Sequence, residues 1–224
     1  MRFNPVCSKL LIATRNQHKV GEIQAILGTE FRCQTLKDFP GVPAVVEDLD
    51  TFAGNATKKA AELARWLTAV IRVGRRPDYV LADDSGLAVD ALGGAPGVHS
   101  ARFAALDSGQ AGNSPDVDNN TKLLRQLQDV PADKRTARFH CAIALVKLPE
   151  SVGAAAPRAE LFEGDCVGRI DFAPRGQGGF GYDPLFVPVG YEVSFAELGE
   201  SAKNQISHRA RALEKLRAHF AGRA

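Results

Sequence analysis

The feature that most constrains this chain is a change of hydrophobic period that recurs along it. "KLLIAT", Lys9 to Thr14, is an apolar run of strand length, and "RNQHKVGEIQAIL" then sets Val20, Ile23, Ile26 and Leu27 on one face at helical spacing. A strand, a polar loop and a helix make the first unit. Thr51 is placed to cap a second helix, with Phe52, Ala56, Ala60, Leu63, Leu67 and Val70 or Ile71 on its buried side and Gly74 and Pro77 ending it. "DYVLA" predicts a strand that leads straight into Asp83 and Asp84 and stops there, and "DNNTKLLRQLQDV" predicts a shorter helix ended by Pro131. "ARFHCAIALVKL" and "AELFEGDCVGRIDF" predict two longer strands joined as a hairpin by "VGAAAP". A last helix is expected from near Ser201, with Ile206, Ala210, Leu213, Leu216 and Phe220 inward. Strands and helices follow one another without internal repeats, so the fold class is α/β.

At 224 residues the chain can bury a substantial core as one compact unit. Its 45% hydrophobic and 24% charged residues are ordinary for globular proteins. A formal net charge of +2 supplies no global field for nucleic acid or membrane binding. Cys7, Cys33, Cys141 and Cys166 form no C-x-x-C pair, and Cys141 beside His140 points away from it on a strand, so reduced thiols are expected. The opening "MRFNPVCSKLLIATRNQ" has too short an apolar run for a signal peptide, and no run approaches membrane-spanning length. A cytoplasmic protein with no nucleic acid or membrane partner is expected.

Four polar constellations could carry chemistry. In "TRNQHK", Thr14, Asn16 and Lys19 stand where a strand gives way to a helix N-terminus, offering a hydroxyl, an amide, a cation and backbone N–H groups to a phosphate. The same residues also make an ordinary polar cap with a solvated lysine. In "LADDSG", Asp83 and Asp84 cannot face the same way on an extended backbone. Carboxylates there suit a divalent cation that arrives with a phosphorylated substrate, or an Asx-type turn with two solvated aspartates. Glu47 could add a third carboxylate, although the sequence does not bring it to the site.

"RGQGGFGYDPLF" contains a formal G-x-G-x-x-G, but the stretch runs on into "LFVPV" where a dinucleotide fingerprint needs a helix, so that reading fails. What remains is a glycine loop whose Phe180 and Tyr182 either stack on a planar base or pack in a tight turn. In "SAKNQISHRARAL", Lys203, Ser207, His208 and Arg209 near a helix N-terminus could read an oxo group or a phosphate, or form a solvated basic face. G-x-x-x-x-G-K-[ST], H-E-x-x-H and G-x-S-x-G are all missing from the sequence, which removes the main support for P-loop, zincin and esterase readings.

Taken in order, "ATRNQHKVGEI", "TFAGNATKKA", "ADDSGLAVDALGGAPGVHSARF", "GGFGYDPLF" and "KNQISHRARAL" resemble the inosine triphosphate pyrophosphatase family, from about Leu10 to Arg211. The resemblance implies a single nucleoside triphosphate pyrophosphatase domain over 1–224, whose long twisted mixed sheet and helices form two lobes around a central nucleotide-binding cleft. It implies hydrolysis of ITP, dITP and XTP to the monophosphate and pyrophosphate, clearing them from the nucleotide pool, with magnesium as cofactor and a homodimer as the usual assembly. By position, Thr14, Arg15, Asn16, Gln17, His18 and Lys19 would hold the phosphates, and Glu47 and Asp84 the metal. Asp84 would take the proton from the attacking water, and Ser85 would touch substrate. Phe180, Gly181, Tyr182 and Asp183 would line base and sugar, while Lys203, His208 and Arg209 would close over the nucleotide.

Two positions depart from the family pattern: Gly54 replaces the usual glutamate of F-x-E-N-A, and Ala202 replaces an acidic residue before Lys203. The polar segment from Ala105 to Asp118 is longer than expected and is read as mobile. The competing readings are a pyrophosphohydrolase of other triphosphates, and a nucleotide- or RNA-binding module without hydrolysis; the weak net charge and the presence of Asp84 and Lys19 weigh against the second.

Overall fold

The computed structural model describes residues 8–109, 112–149 and 158–222. Six strands form one mixed sheet: β1 (Lys9–Ile12), β2 (Arg32–Thr35), β3 (Tyr79–Val89), β4 (Thr136–Lys147), β5 (Ala159–Ile170) and β6 (Phe186–Pro188), in the order β2-β1-β3-β4-β5-β6. β1 pairs in parallel with both β2 and β3, while β5 and β6 are antiparallel. The burial of each strand follows its place. Leu10, Leu11 and Ile12 of β1, flanked on both edges, are all buried, as an unbroken apolar run requires. β5 alternates buried and exposed residues along most of its length, the mark of a strand with one wet face.

The described residues fall into two compact units, drawn from Met1–Asp84, Ala142–Glu163 and Arg211–Ala224 for the first and from Ser85–Cys141 and Gly164–Ala210 for the second. In the first, helix α1 (Gln17–Leu27) buries Val20, Ile23 and Leu27. Helix α2 (Phe52–Val70) starts where expected, with Thr51 Oγ1 accepting from Gly54 N–H at 3.1 Å. Its small apolar face, Ala56, Ala60, Leu63, Ala64 and Leu67, packs with Leu11, Val80, Ala82, Ala142, Ala144 and Val146 of β1, β3 and β4. The last turn settles the choice left open between Val70 and Ile71: Val70 is exposed and Ile71 packs on the core. Gly74 and Pro77 follow the helix end rather than cause it.

The second unit holds α3 (Ala105–Ser108), α4 (Asp116–Gln126), α5 (Phe195–Ile206) and the start of α6 (His208–Ala221). Its core gathers Leu87, Val89, Leu123, Leu127, Phe139, Tyr182, Leu185, Phe186 and Phe195.

Two expectations change. β3 does not stop before Asp83; it runs on to Val89, because tertiary partners for the two carboxylates override the poor strand propensity of aspartate. The single last helix is two. Ser194 and Glu197 form a capping box that starts α5 earlier, Gly199 at φ 78° breaks it so that the helix resumes close to the expected start near Ser201, and extended Ser207 accepts from Ala210 N–H at 3.2 Å to open α6. Within the Ala105–Asp118 segment the described residues include α3, Ala105 N–H donates to Ser114 Oγ at 2.9 Å and Asp107 pairs with Lys122 at 2.6 Å; residues 110 and 111 lie outside the described residues.

β4 and β5 are sheet neighbours as the hairpin requires, but its turn "VGAAAP" lies outside the described residues. Cys33, Cys141 and Cys166 are thiols, and Cys7 lies outside the described residues. Among the described residues no helix is long and apolar enough to cross a membrane.

Replacing fully buried Leu67 by alanine should cost about 2–5 kcal/mol, seen as a lower urea midpoint at unchanged slope, whereas Val70→Ala should stay within about 0.5 kcal/mol.

Candidate functional site

In the first unit the polar residues assemble around the end of β1 and the middle of β3. Asn16 caps α1, its Oδ1 accepting from the N–H groups of His18 at 2.9 Å and Lys19 at 3.2 Å, and Thr14 Oγ1 accepts from Asn16 N–H at 3.2 Å. The polar cap is therefore real. The lysine, however, is not solvated: Lys19 Nζ lies 2.6 Å from Asp83 Oδ1, whose side chain is 0% exposed. Arg15, Asn16, Gln17 and His18 are exposed around the first turn of α1. Arg15 donates to Val42 O at 3.3 Å, and Gln17 donates its side-chain amide to Arg15 O at 3.4 Å.

The structure brings in Glu47, which the sequence could not place. Asn55 on α2 grips the residue after next in the same segment, accepting from Leu49 N–H at 2.9 Å and donating to Leu49 O at 3.0 Å. Lys59, one turn further along α2, holds Glu47 Oε1 at 2.6 Å. Glu47 is thereby near enough to act on Asp84.

Asp84 is 6% exposed, and its Oδ2 is buried with no hydrogen-bond partner among the described residues. Burial raises its carboxyl from the usual 3.8 to about 6, against the pull of Lys19; Glu47 adds to the rise, and Lys59 and Asn55 oppose it. Both aspartates sit inside β3, which rules out the Asx turn.

No cluster of three or more His, Cys, Asp or Glu side chains suited to a metal occurs among the described residues. Two neighbouring carboxylates, one with an unmatched oxygen, fit a hard divalent cation that brings water and phosphate as its other ligands.

The second unit holds the other group. Arg209 Nη2 donates to Ser85 Oγ at 2.8 Å, and His208 stacks on Phe139 with centroids 4.8 Å apart and planes 12° apart. Lys203 Nζ lies 2.5 Å from Asp183 Oδ2 and 4.4 Å from the centre of the Phe180 ring. The same Asp183 oxygen accepts from Phe180 N–H at 2.8 Å. Gly179 makes this possible: at φ +74° it leaves room where a Cβ would stand 2.2 Å from Asp183 Oδ2. Lys203, His208 and Arg209 are all buried, so they do not form a solvated basic face.

Nor do Lys203 and the His208–Arg209 pair share one helix N-terminus: Lys203 lies in the last turn of α5, and the other two begin α6. Tyr182 belongs to the core. It is 3% exposed, its hydroxyl donates to Ser100 O at 2.9 Å, and burial pushes the phenol well above its ordinary range. The aromatic of this loop that is partly open is Phe180.

Asn55, Lys59 and the service of Asp83 to Lys19 went unread in the sequence. A signal existed for two of them: asparagine and lysine four apart, among Ala56, Ala60 and Leu63, lie on the apolar face of α2.

A model of the Ham1 family matches residues 10–219. A protein of Geobacillus kaustophilus named dITP/XTP pyrophosphatase is 48% identical over 93% of this chain and 92% of its own. One of the same name from Shouchella clausii is 44% identical over 96% of this chain and 98% of its own. The solved structure of a HAM1 protein from Coxiella burnetii superposes with a TM-score of 0.78 at 35% identity, covering 96% of this chain and 99% of that one.

The raised carboxyl of Asp84 makes stability depend on pH with a definite sign. Below the unfolded value of 3.8 both states hold the proton; as pH rises through about 6, the native state must bury a charge, and stability falls by up to about 3 kcal/mol. In metal-free buffer Asp84→Asn should therefore match the parent near pH 4 and exceed it at pH 8. Urea melts across that range that stay parallel would contradict the assignment.

Proposed function

This chain belongs to the Ham1 family, and we propose that it hydrolyses the non-canonical purine nucleoside triphosphates ITP, dITP and XTP to the monophosphate and pyrophosphate, removing them from the nucleotide pool. Asp84 carries the reading: a buried carboxyl near pKa 6 with an unmatched oxygen, in a chain whose full-length relatives bear the name of that activity.

At neutral pH such a group is largely ionised yet close enough to neutrality to take a proton, which is what a general base requires. Asp84 orients a water and accepts its proton as the new O–P bond forms at the α-phosphorus and the bond to the bridging oxygen breaks, releasing pyrophosphate. Lys19, aimed by Asp83, and the stretch from Thr14 to His18 that leads into the first turn of α1 receive the phosphates, where backbone N–H groups and the helix dipole favour negative charge. Glu47 and Asp84 would hold a divalent cation, magnesium in this proposal, which when bound supplies Lewis-acid charge to the phosphate oxygens.

Ser85, Phe180, Gly181, Tyr182, Asp183, Lys203, His208 and Arg209 serve the nucleoside end. Phe180 offers the ring face and Tyr182 anchors the loop from within the core. His208 and Arg209 would donate to a 6-oxo group and leave the amino group of adenine mismatched in a buried setting. Each unit is assembled from separated stretches of chain, which supports reading the two as lobes of one domain. A homodimer in the cytoplasm completes the proposal.

With magnesium, ITP and XTP should yield pyrophosphate, and ATP, GTP and dTTP little. Orthophosphate release, or no preference among bases, would defeat the reading. Asp84→Asn should lower kcat by about 10²–10⁴, the usual contribution of a positioned general base, while remaining folded by circular dichroism. Chelating the divalent cation should abolish turnover, and adding magnesium should restore it.

A further inference from the structure

The backbone of Gly181, between Phe180 and Tyr182, is gripped at both polar ends by one helix. Asp116 Oδ2 accepts from Gly181 N–H at 2.6 Å, and Asn120 Nδ2 donates to Gly181 O at 3.0 Å. Four residues apart on α4, the two side chains lie on the same helix face. Asn120 is 8% exposed, and its Oδ1 is buried with no hydrogen-bond partner among the described residues. An amide kept in the interior with one end unmatched is costly where leucine would pack more favourably, so the bond to Gly181 is what this position supplies.

The helix is itself seated by the segment before it. Asn119 Oδ1 accepts from Ala104 N–H at 2.8 Å, and Lys122 Nζ donates to Phe103 O at 2.7 Å and to Asp107 Oδ1 at 2.6 Å.

We infer that Asp116 and Asn120 are positioning residues for the base-lining loop: by holding Gly181 they set where Phe180 stands. Phe103, Ala104 and Asp107 seat the helix that does so. This inference rests on the proposed function, since it takes Phe180 as part of the purine subsite.

The test compares Asp116→Ala, Asp116→Asn and Asn120→Leu with the parent in steady-state hydrolysis of ITP with magnesium, alongside thermal melts. Asp116 is exposed, so its alanine variant leaves the core untouched. Loss of a bond to the loop should raise KM about tenfold in Asp116→Ala and Asn120→Leu with kcat within about twofold. Asp116→Asn keeps an oxygen acceptor for Gly181 and should restore KM, although it removes the same charge from the first turn of α4. A purely helix-stabilising role gives another pattern: equal losses of Tm in both Asp116 variants and unchanged KM, and that result overturns the inference. A parent protein that does not hydrolyse ITP defeats the proposed function and the clamp with it; a parent that does, beside variants of unchanged KM, defeats the clamp alone.

Discussion

The organisation of the first unit depends on keeping two carboxylates in the middle of β3, a strand paired on both edges. A buried charge is tolerable only with a partner, and removing one member of such a pair costs about 3–5 kcal/mol. Asp83 has that partner in Lys19, which ties the start of α1 to β3. Asp84 is only partly compensated: two lysines and an asparagine pull its carboxyl down while burial and Glu47 push it up, and the push wins. Neighbours in sequence thus end in opposite states, one a fixed counter-charge and the other a group poised to exchange a proton.

The second unit repeats the first device. Lys203 and Asp183 form a buried pair at 2.5 Å, and the same carboxylate oxygen closes the glycine loop by accepting from Phe180 N–H. Here the ion pair carries a backbone conformation with it. Gly179 at positive φ is the condition for that closure, because any side chain would occupy the space of the carboxylate. Phe180 is then framed by Lys203 over its ring and by α4 through Gly181, while Tyr182 fastens the other side of the turn to Ser100. A loop rich in glycine becomes ordered through side-chain bonds rather than through sheet or helix.

Much of this architecture was legible in the sequence wherever the signal was local. Strand β1, helices α1 and α2 and the cap at Thr51 follow from period and from one hydroxyl beside a helix start. The early start of α5 was also written locally, in Ser194 and Glu197, a capping box that apolar spacing alone passes over. Propensity misled at β3, where two aspartates look like a strand end until their partners are known. At Tyr182 the sequence left stacking and packing both open, and only the assembled core of the second unit shows its ring packed.

By itself the sequence determined the α/β alternation, the family resemblance and the residue types available for phosphate, metal and base. Tertiary structure alone decided which polar groups meet: Lys19 neutralises Asp83 across 64 residues, Arg209 donates to Ser85 across 124, and Asn55 and Lys59 of α2 bring Glu47 near Asp84. Period and capping are properties of neighbours along the chain, so they can be read in order. The ionisation of a carboxylate depends on burial and on charges a few ångströms away, and those distances exist only once the chain has folded.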